Sequence, residues 1–265
     1  MAEPGLLLIR GLGHSGSTIL DLALGAHPQL IGLGEAVRVL VLPRLGEEHK
    51  GPQQLRGDLR FERRCTCGEL AGDCPVWGPL LAWLPAHDDR PLAEKLNRLI
   101  EPLTASSPRW LVESFQADEQ LLEAQALGRP VRVIQLTRDV RSWVHSESRR
   151  GVERHGRGGT VGWRSMLRWW RINRRWEQRL NRSGCAVFRL GYEELALAPE
   201  QALRQLCAWL EVGFDPAMLQ PGLNSSSHIV SGNRMRFDPG QSQAIRYDAA
   251  WLSSAALSLR LGPLL

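Results

Sequence analysis

The sequence predicts an α/β fold of three layers, in which a central parallel sheet is covered by helices on both faces. Short apolar runs alternate with longer amphipathic stretches along much of the chain, which is the pattern of strands connected by helices. The first apolar run passes through a glycine-rich loop directly into a helix. At 265 residues the chain is long enough for one well-buried α/β domain that also carries a substantial insertion.

The elements are expected in the following order. Strands are predicted near 5–10, 30–33, 109–113, 131–136 and 185–190, and helices near 16–26, 140–150, 161–181 and 199–211. The last helix begins at Pro199, since proline suits a first helical turn. A glycine-rich loop is expected over 151–162. Residues 36–108 show little strand pattern, so we interpret them as a helical insertion or cap within a single domain spanning 1–265.

The loop after the first strand predicts a phosphate-bearing ligand. A helix N-terminus leaves backbone N–H groups unpaired and carries partial positive charge, so it stabilises an anion. The loop fits two known patterns. The dinucleotide fingerprint G-x-G-x-x-G is matched by Gly11, Gly13 and Gly16. Glu35 lies about where the ribose-binding acid of that fold belongs. The P-loop pattern G-x-x-x-x-G-K-[ST] is matched at Gly11 and Gly16, but Ser17 stands where its lysine is required. The missing lysine argues against nucleoside triphosphate hydrolysis.

A third interpretation comes from a family resemblance. Residues 14–18, the helix that follows and His27-Pro28 resemble the first motif of the sulfotransferases that use 3'-phosphoadenylyl sulfate (PAPS), whose fold is P-loop NTPase-like. A sulfuryl donor carries a phosphosulfate rather than a metal-bound triphosphate, so the missing lysine is expected. The resemblance implies that the 5' phosphosulfate is held by Gly13, His14, Ser15, Gly16, Ser17 and Thr18.

A second motif, at 131–150, resembles the 3' phosphate site of the same family. In that family an arginine at a strand end and a serine eight residues later bind the 3' phosphate, and Arg138 and Ser146 have this spacing. Eight residues are just over two helical turns, so such a serine can face back toward the strand end. A guanidinium binds phosphate oxygens in pairs. Arg150 lies one turn further along. The ordinary alternative is that Arg138 only precedes a helix start and Arg150 is solvated.

Two later segments also resemble nucleotide-binding parts of this family. Tyr192 matches the tyrosine of a Tyr-Glu-Asp-Leu element, which implies that it helps to hold the nucleotide. Residues 228–237 resemble a late glycine loop that closes over the 3' phosphate. Backbone contacts are implied for Ser231, Gly232 and Asn233, together with Arg234 or Arg236.

The expected catalytic groups are His14 and Glu35. Most relatives carry Arg or Lys at the position of His14, and a histidine supplies positive charge only when protonated, so activity would fall as pH rises through its pKa. Alternatively, a neutral His14 hydrogen-bonds the sulfate. Glu35 follows the second strand at the ligand-binding edge of the sheet and is the candidate general base. Glu35 and Arg38 are also predicted to bind the acceptor, unless they only pair with each other. Relatives place a lysine near the end of the next strand, but 112–116 contains none, so the catalytic cation stays open.

Three cysteines lie in the predicted insertion. Cys65, Cys67 and Cys74 resemble a Cys-x-Cys-Gly…Cys-Pro-x-Trp element of some bacterial relatives. A zinc site needs a fourth ligand, and Cys-x-Cys is unlike the spacing of common zinc knuckles. A disulfide is disfavoured in a cytoplasmic protein. Packed free thiols are the remaining interpretation, and we predict no metal ligands.

Positive charge is concentrated in one segment of the chain. The net charge is +5 and the isoelectric point is near 9.3, and residues 149–182 hold 11 arginines against 2 glutamates. Such a segment favours anionic ligands. Its interleaved tryptophans mostly indicate core packing, although they also permit binding of a nucleic acid or another polyanion, or of an anionic acceptor such as a glycan.

We therefore predict a sulfotransferase that moves the sulfuryl group of PAPS to an acceptor hydroxyl and releases adenosine 3',5'-bisphosphate. Carbohydrate, lipid, small metabolite and peptide tyrosine all stay open as acceptors. The alternatives are a Rossmann-type NAD(P)-dependent oxidoreductase and a polyanion-binding protein, but we expect no nucleic-acid partner. No secretory signal and no apolar run of about 18 residues is present, so we expect a cytoplasmic protein without a transmembrane segment.

Overall fold

The computed structural model describes residues 3–41, 63–116, 121–122, 128–155 and 163–253, except for the side chains of 150–155 and 163. Its centre is a five-stranded sheet with the order β2-β3-β1-β4-β5. Every neighbouring pair is parallel, which confirms the predicted α/β class. The strands are β1 (Gly5–Gly11), β2 (Leu30–Gly32), β3 (Trp110–Glu113), β4 (Val131–Thr137) and β5 (Ala186–Gly191).

Ten α-helices lie in the described part of the chain. They are α1 (Ser17–Gly25), α2 (Val37–Leu40), α3 (Trp77–His87), α4 (Leu92–Ile100), α5 (Val140–His155), α6 (Trp163–Ser183), α7 (Tyr192–Leu197), α8 (Pro199–Leu210), α9 (Pro221–Asn224) and α10 (Pro239–Ser242). Short 3₁₀ turns occupy Glu101–Ser106, Pro216–Leu219, Arg234–Phe237 and Ala250–Ser253. None of the helices described is long and apolar enough to cross a membrane.

The sheet has a hydrophobic core on each face, which makes the three layers. All seven residues of β1 are buried, as expected for a central parallel strand covered on both sides. Successive side chains of a strand point to opposite faces. Leu6 and Leu8 accordingly pack with helices α3, α4 and α6, whereas Leu7 and Ile9 pack with α1 and α8.

The strand order excludes the dinucleotide-binding alternative. In the Rossmann order 3-2-1-4-5-6 the second strand pairs directly with the first. Here β1 lies between β3 and β4, and β2 is at the edge of the sheet beside β3. The connection after β1 leads to β2 on one side of the sheet and the connection after β4 leads to β5 on the other, so the two diverge between β1 and β4, the strand ends next to the glycine loop. Open α/β sheets bind their ligands at such a point.

Two local predictions differ from the structure. Helix α5 continues to His155, so the first five residues of the expected 151–162 loop are helical, and 156–162 lie outside the described residues. One glycine, Gly151, costs a helix only about 1 kcal/mol, so it does not end the helix. Helix α7, directly after β5, was not predicted. Within 36–108, the described residues form α2, α3, α4 and one 3₁₀ turn, without a strand of the sheet.

Candidate active site

The loop between β1 and α1 has a shape that requires glycine at two positions. Gly16 has φ 91°, and a Cβ there would lie 2.7 Å from the Tyr192 ring. Gly11 has φ 150°, and a Cβ there would lie 2.3 Å from the carbonyl oxygen of Leu136. Glycine alone adopts these angles without strain and leaves this space. The loop is therefore seated closely against the ends of β4 and β5.

The carbonyl groups of this loop are hydrogen-bonded to surrounding side chains. Trp143 Nε1 donates to the carbonyl of Gly13 at 2.8 Å, and Arg138 donates to that of His14 at 3.1 Å. Because C=O and N–H point in opposite directions across a trans peptide, the N–H groups of His14 and Ser15 are turned the other way. The Ser15 hydroxyl is buried and has no hydrogen-bond partner among the described residues. An unpartnered buried hydroxyl is costly, and a ligand oxygen would satisfy it.

A neutral donor reaches the loop from the neighbouring strand. Gln116 follows β3, and its side-chain amide donates to the hydroxyl of Ser17 and to the carbonyl of Ser114. Relatives commonly place a lysine near the end of this strand, and Gln116 is the residue there that contacts the loop. Thr18 lies half-buried in the first turn of α1.

Arg138 lies at the end of β4, next to the loop, and is 6% exposed. Its Nε donates to Ser142 Oγ at 2.7 Å, and its guanidinium lies 4.4 Å from the centre of the Tyr192 ring. Its Nη2 atom pairs with the carboxylate of Asp248 at 3.0 Å. One strand away from the loop, a buried cation is thus oriented by a serine, an aromatic ring and a carboxylate.

The serine that contacts Arg138 is Ser142, which the sequence motif did not single out. Asp139 caps α5 by accepting a hydrogen bond from the Arg141 N–H at 2.8 Å, so residue 142 lies in the first turn, beside the strand end. Ser146 is one turn further away and is half-buried. Its role stays a prediction, as does that of Arg150, whose side chain lies outside the described residues.

The segment that supplies Asp248 is held against the same site. Tyr192 donates from its hydroxyl to the carbonyl of Arg246 at 3.1 Å and accepts from the Asp248 N–H at 3.0 Å. Burial would raise the pKa of Asp248, but hydrogen bonds from Arg138 and from the Ala250 N–H hold it below its ordinary value. Nothing in the sequence indicated this contact, because 110 residues separate the two partners.

The late glycine loop lies against the chain that leaves β2, and the phosphate contacts predicted for Ser231, Gly232 and Asn233 stay a prediction. The Glu35 N–H donates to the Ser231 carbonyl at 3.0 Å, so this loop packs against the chain that leaves β2. Strands β2 and β4 are three positions apart in the sheet, which is about 14 Å at the usual strand spacing. The loop therefore belongs to the side of the site that holds Glu35.

Arg236 stabilises this loop from within. Its guanidinium is 9% exposed and donates to the carbonyls of Val230, Gly232 and Asn233. Burial, together with the nearby Arg63, lowers the pKa of Arg236 to about 10. Most of its donors are thus used on its own loop, which differs from the predicted contact with a phosphate.

Glu35 and Arg38 form an ion pair at the end of β2. The Glu35 side chain is 15% exposed, and the Arg38 guanidinium lies 5.1 Å from the centre of the Phe115 ring. Glu35 therefore pairs with Arg38, as the alternative to a catalytic role had predicted. The pairing is compatible with a catalytic role, because a carboxylate has two oxygens and Arg38 contacts Oε2.

A second carboxyl group lies beneath this side of the site. Asp21 is fully buried in α1 and accepts a hydrogen bond from Ser114 Oγ at 2.6 Å. Burial raises the pKa of Asp21 to about 7, although hydrogen bonds from Ser114 and the Gly34 backbone oppose this. Sequence reasoning missed Asp21, and the available signal was a lone acid within the apolar helix 19–24.

The three cysteines, for which no metal role was expected, meet a fourth side chain that together with them could hold a metal ion. The sulfur of Cys74 lies 3.6 Å from that of Cys65 and 3.3 Å from Nδ1 of His228. Cys67 is close enough that the ligand atoms of all four residues lie within 4.8 Å of one another. Hydrogen bonds with Cys65 and His228 lower the pKa of the Cys74 thiol. The fourth side chain, His228, thus comes from the late glycine loop, 154 residues along the chain from Cys74.

Solved sulfotransferase structures share this fold. A sulfotransferase domain from the curacin biosynthetic pathway superposes with a TM-score of 0.57 at 22% identity, covering 99% of this chain and 91% of that one. The sulfotransferase domain of the Synechococcus PCC 7002 olefin synthase gives 0.53 at 22% identity, with 99% and 93% covered. Mouse sulfotransferase SULT7A1, complexed with PAP, gives 0.51 at 13% identity, with 100% and 83% covered. At these identities the likeness concerns the fold alone.

The sequence also matches a family model directly. None of the curated protein sequences matches this chain. The model of the Sulfotransferase family matches residues 7–216, a span that contains the loop after β1, Arg138 and Tyr192. This span is most of the chain, and the chain therefore belongs to the sulfotransferase family.

Proposed function

We propose that this sulfotransferase uses PAPS as donor and an acceptor hydroxyl as substrate, releasing adenosine 3',5'-bisphosphate. The donor would supply a sulfuryl group attached to a phosphate leaving group. The observation that carries the proposal is the loop after β1, where the buried Ser15 hydroxyl, without a hydrogen-bond partner among the described residues, adjoins N–H groups that point opposite to the bonded carbonyls of Gly13 and His14. The likeness to a sulfotransferase complexed with PAP supports it.

The two phosphate sites of such a donor would lie side by side. Strands β1 and β4 are neighbours, about 5 Å apart, so the loop and Arg138 occupy adjacent positions at one sheet edge. The loop would hold the 5' phosphosulfate through its N–H groups and hydroxyls. Arg138 would bind the 3' phosphate with Ser142, and Ser146 would extend the same helix face. Tyr192 would orient the guanidinium from below.

The acceptor would enter on the side of β2. Strand β3 lies between β2 and β1, so Gln116 is placed between Glu35 and the loop. Glu35 would accept the proton of the acceptor hydroxyl. His14 and Arg38 would donate hydrogen bonds toward the charge that develops in the transition state, and Gln116 would hold the Ser17 hydroxyl.

Charge on this side favours an acceptor that is itself anionic. The pKa of Arg63 is lowered by burial and by the neighbouring charges of Arg234 and Arg38, which shows that these cations lie near one another and near Glu35. A cluster of cations raises the local concentration of anions. We therefore expect a hydroxyl compound with a carboxylate, phosphate or sulfate group to be a better acceptor than its neutral analogue in a screen with labelled donor.

The donor site is tested by removing Arg138 and comparing two ligands that differ by one phosphate. Arg138→Gln is expected to weaken adenosine 3',5'-bisphosphate by about 10- to 100-fold, because a charge-assisted hydrogen bond is worth about 1.5–3 kcal/mol. Binding of adenosine 5'-monophosphate, which lacks the 3' phosphate, is expected to change little. Both affinities are measured by isothermal titration calorimetry.

The matched control is Arg204→Gln, which removes the same charge from an exposed ion pair on α8. It is expected to leave both affinities unchanged. Equal losses for both nucleotides in Arg138→Gln would contradict the assignment of Arg138 to the 3' phosphate. Absence of binding of adenosine 3',5'-bisphosphate to the unaltered protein would overturn the proposed donor.

A further inference from the structure

Four potential metal ligands lie together where the insertion meets the late glycine loop. They are Cys65, Cys67, Cys74 and His228. Cys65 and Cys74 are buried, His228 is half-buried and Cys67 is exposed. Packing of thiols in a core accounts for the two buried cysteines, but it does not account for an exposed third cysteine directed at the same point.

The distances within this cluster are those of a tetrahedral site. Zinc bonds of about 2.3 Å to sulfur and 2.0–2.1 Å to nitrogen give tetrahedron edges of about 3.8 Å between sulfurs and about 3.6 Å between sulfur and nitrogen. The Cys65–Cys74 sulfur distance is 3.6 Å, and the His228 Nδ1 atom lies 3.9 Å from the Cys65 sulfur and 3.3 Å from the Cys74 sulfur. A disulfide requires about 2.05 Å, so these cysteines are not paired with each other.

The backbone around the cysteines forms a compact turn that presents sulfur atoms to one side. Arg64 and Leu70 make an antiparallel bridge, and the Cys65 N–H donates to the Glu69 carbonyl at 2.8 Å. Gly68 has φ 99°, which allows the chain to reverse directly after Cys67. Backbone hydrogen bonds and the left-handed conformation of Gly68 thus hold this turn in shape.

We propose that Cys65, Cys67, Cys74 and His228 bind one zinc ion. Four protein ligands of the Cys₃His type close the coordination shell and leave no position for water or substrate, so the ion is structural. The three cysteines bind as thiolates, and their protons are released when the metal enters. Arg236 lies near enough to interact electrostatically with Cys65 and offsets part of the negative charge of the thiolates.

The ion would join two segments that are distant in the chain. Thr66 accepts from the Ile229 N–H at 2.9 Å, and Trp77 Nε1 donates to the His228 carbonyl at 2.6 Å. The segment that contains His228 is in turn bonded to the sheet, since the His228 N–H donates to the Gly32 carbonyl at 2.7 Å. Zinc would thereby fix the turn of the insertion against the loop whose Ser231 carbonyl holds Glu35.

Metal analysis of the purified full chain by inductively coupled plasma mass spectrometry tests this site. We expect about one zinc per chain in the unaltered protein. Cys67→Ser is expected to lose the ion, and its exposed position makes the packing cost small. Cys185→Ser, at a cysteine outside the cluster, is expected to keep it. His228→Cys is expected to retain zinc as a Cys₄ site, whereas His228→Ala loses it.

A second measurement does not depend on any variant folding. Cobalt-exchanged protein is expected to show the intense visible absorption of tetrahedral cobalt–thiolate coordination, and a chelator is expected to lower the melting temperature of the zinc protein. The proposal is overturned if chain purified from zinc-supplemented culture holds no stoichiometric metal. It is also overturned if Cys67→Ser and His228→Ala keep zinc at the level of Cys185→Ser.

Discussion

Asp21 is a carboxylic acid whose pKa is strongly raised by the fold. Its pKa is raised by burial from 3.8 to about 7. Between these values the folded chain keeps a proton that the unfolded chain has released, so the free energy of unfolding falls as pH rises. The fall is about 1.4 kcal/mol per pH unit within this window and ends above pH 7.

Asp21→Asn removes this titration while keeping the size of the side chain. We expect the variant to lose the pH-dependent decrease in stability between pH 5 and 8 and to gain stability relative to the parent at pH 8. Urea unfolding at several pH values measures this slope. Asp89→Asn, at an exposed aspartate, serves as control and is expected to keep the parental slope. An unchanged slope in Asp21→Asn would show that Asp21 is ionised in the folded protein.

A structural role and a catalytic role of Glu35 predict different enzyme kinetics. If Glu35 accepts the acceptor proton, Glu35→Gln is expected to lower kcat by about a hundredfold or more and to leave the affinity for adenosine 3',5'-bisphosphate intact. Steady-state assays with an acceptor identified by screening measure this.

Arg38→Gln separates the two roles, because it breaks the same ion pair without removing the carboxylate. It is expected to raise the KM for the acceptor more than it lowers kcat. If the pair were only structural, both variants would lose similar thermal stability and keep their turnover, which would move the general base elsewhere.

At the scale of elements, the segment that follows α10 pairs with Arg138, the residue proposed to bind the 3' phosphate. Asp248 holds the Arg138 guanidinium at 3.0 Å and is 34% exposed. A 3' phosphate would have to displace this carboxylate or share the guanidinium with it. The lowered pKa of Asp248 keeps the carboxylate charged through the range in which the enzyme is assayed.

Asp248→Asn is therefore expected to bind adenosine 3',5'-bisphosphate more tightly, by about two- to tenfold, since a partly exposed ion pair contributes about 1 kcal/mol. Adenosine 5'-monophosphate is the control ligand and is expected to bind equally to both proteins. Weaker binding of the bisphosphate to Asp248→Asn would mean that the carboxylate positions Arg138 for its ligand instead of competing with it.

At the scale of the whole molecule, the strand order argues against a dinucleotide site. A sheet with β1 between β3 and β4 lacks the direct β1–β2 pair of the dinucleotide-binding fold. Adenosine 3',5'-bisphosphate is expected to raise the melting temperature by about 5–10 °C at a hundredfold excess over its dissociation constant. NAD and ATP are expected to give smaller shifts, and a shift with NAD alone would contradict the donor assignment.

Most of the sheet was predictable from sequence. Buried parallel strands are continuous apolar runs, and each of the five was predicted within about two residues because that pattern is local. The bounds of α5 were less predictable, since a single glycine does not end a helix when packing sustains it.

The sequence by itself determined the α/β class, the loop after β1 and the family resemblance, because these depend on short motifs whose physical meaning is local. Only the tertiary structure showed that Ser142 contacts Arg138, that the late glycine loop lies beside Glu35 and that His228 completes the cysteine cluster. Each of these contacts depends on which strand ends meet and on partners that the chain brings together in space. The spacing of residues along a single sequence does not indicate such partners.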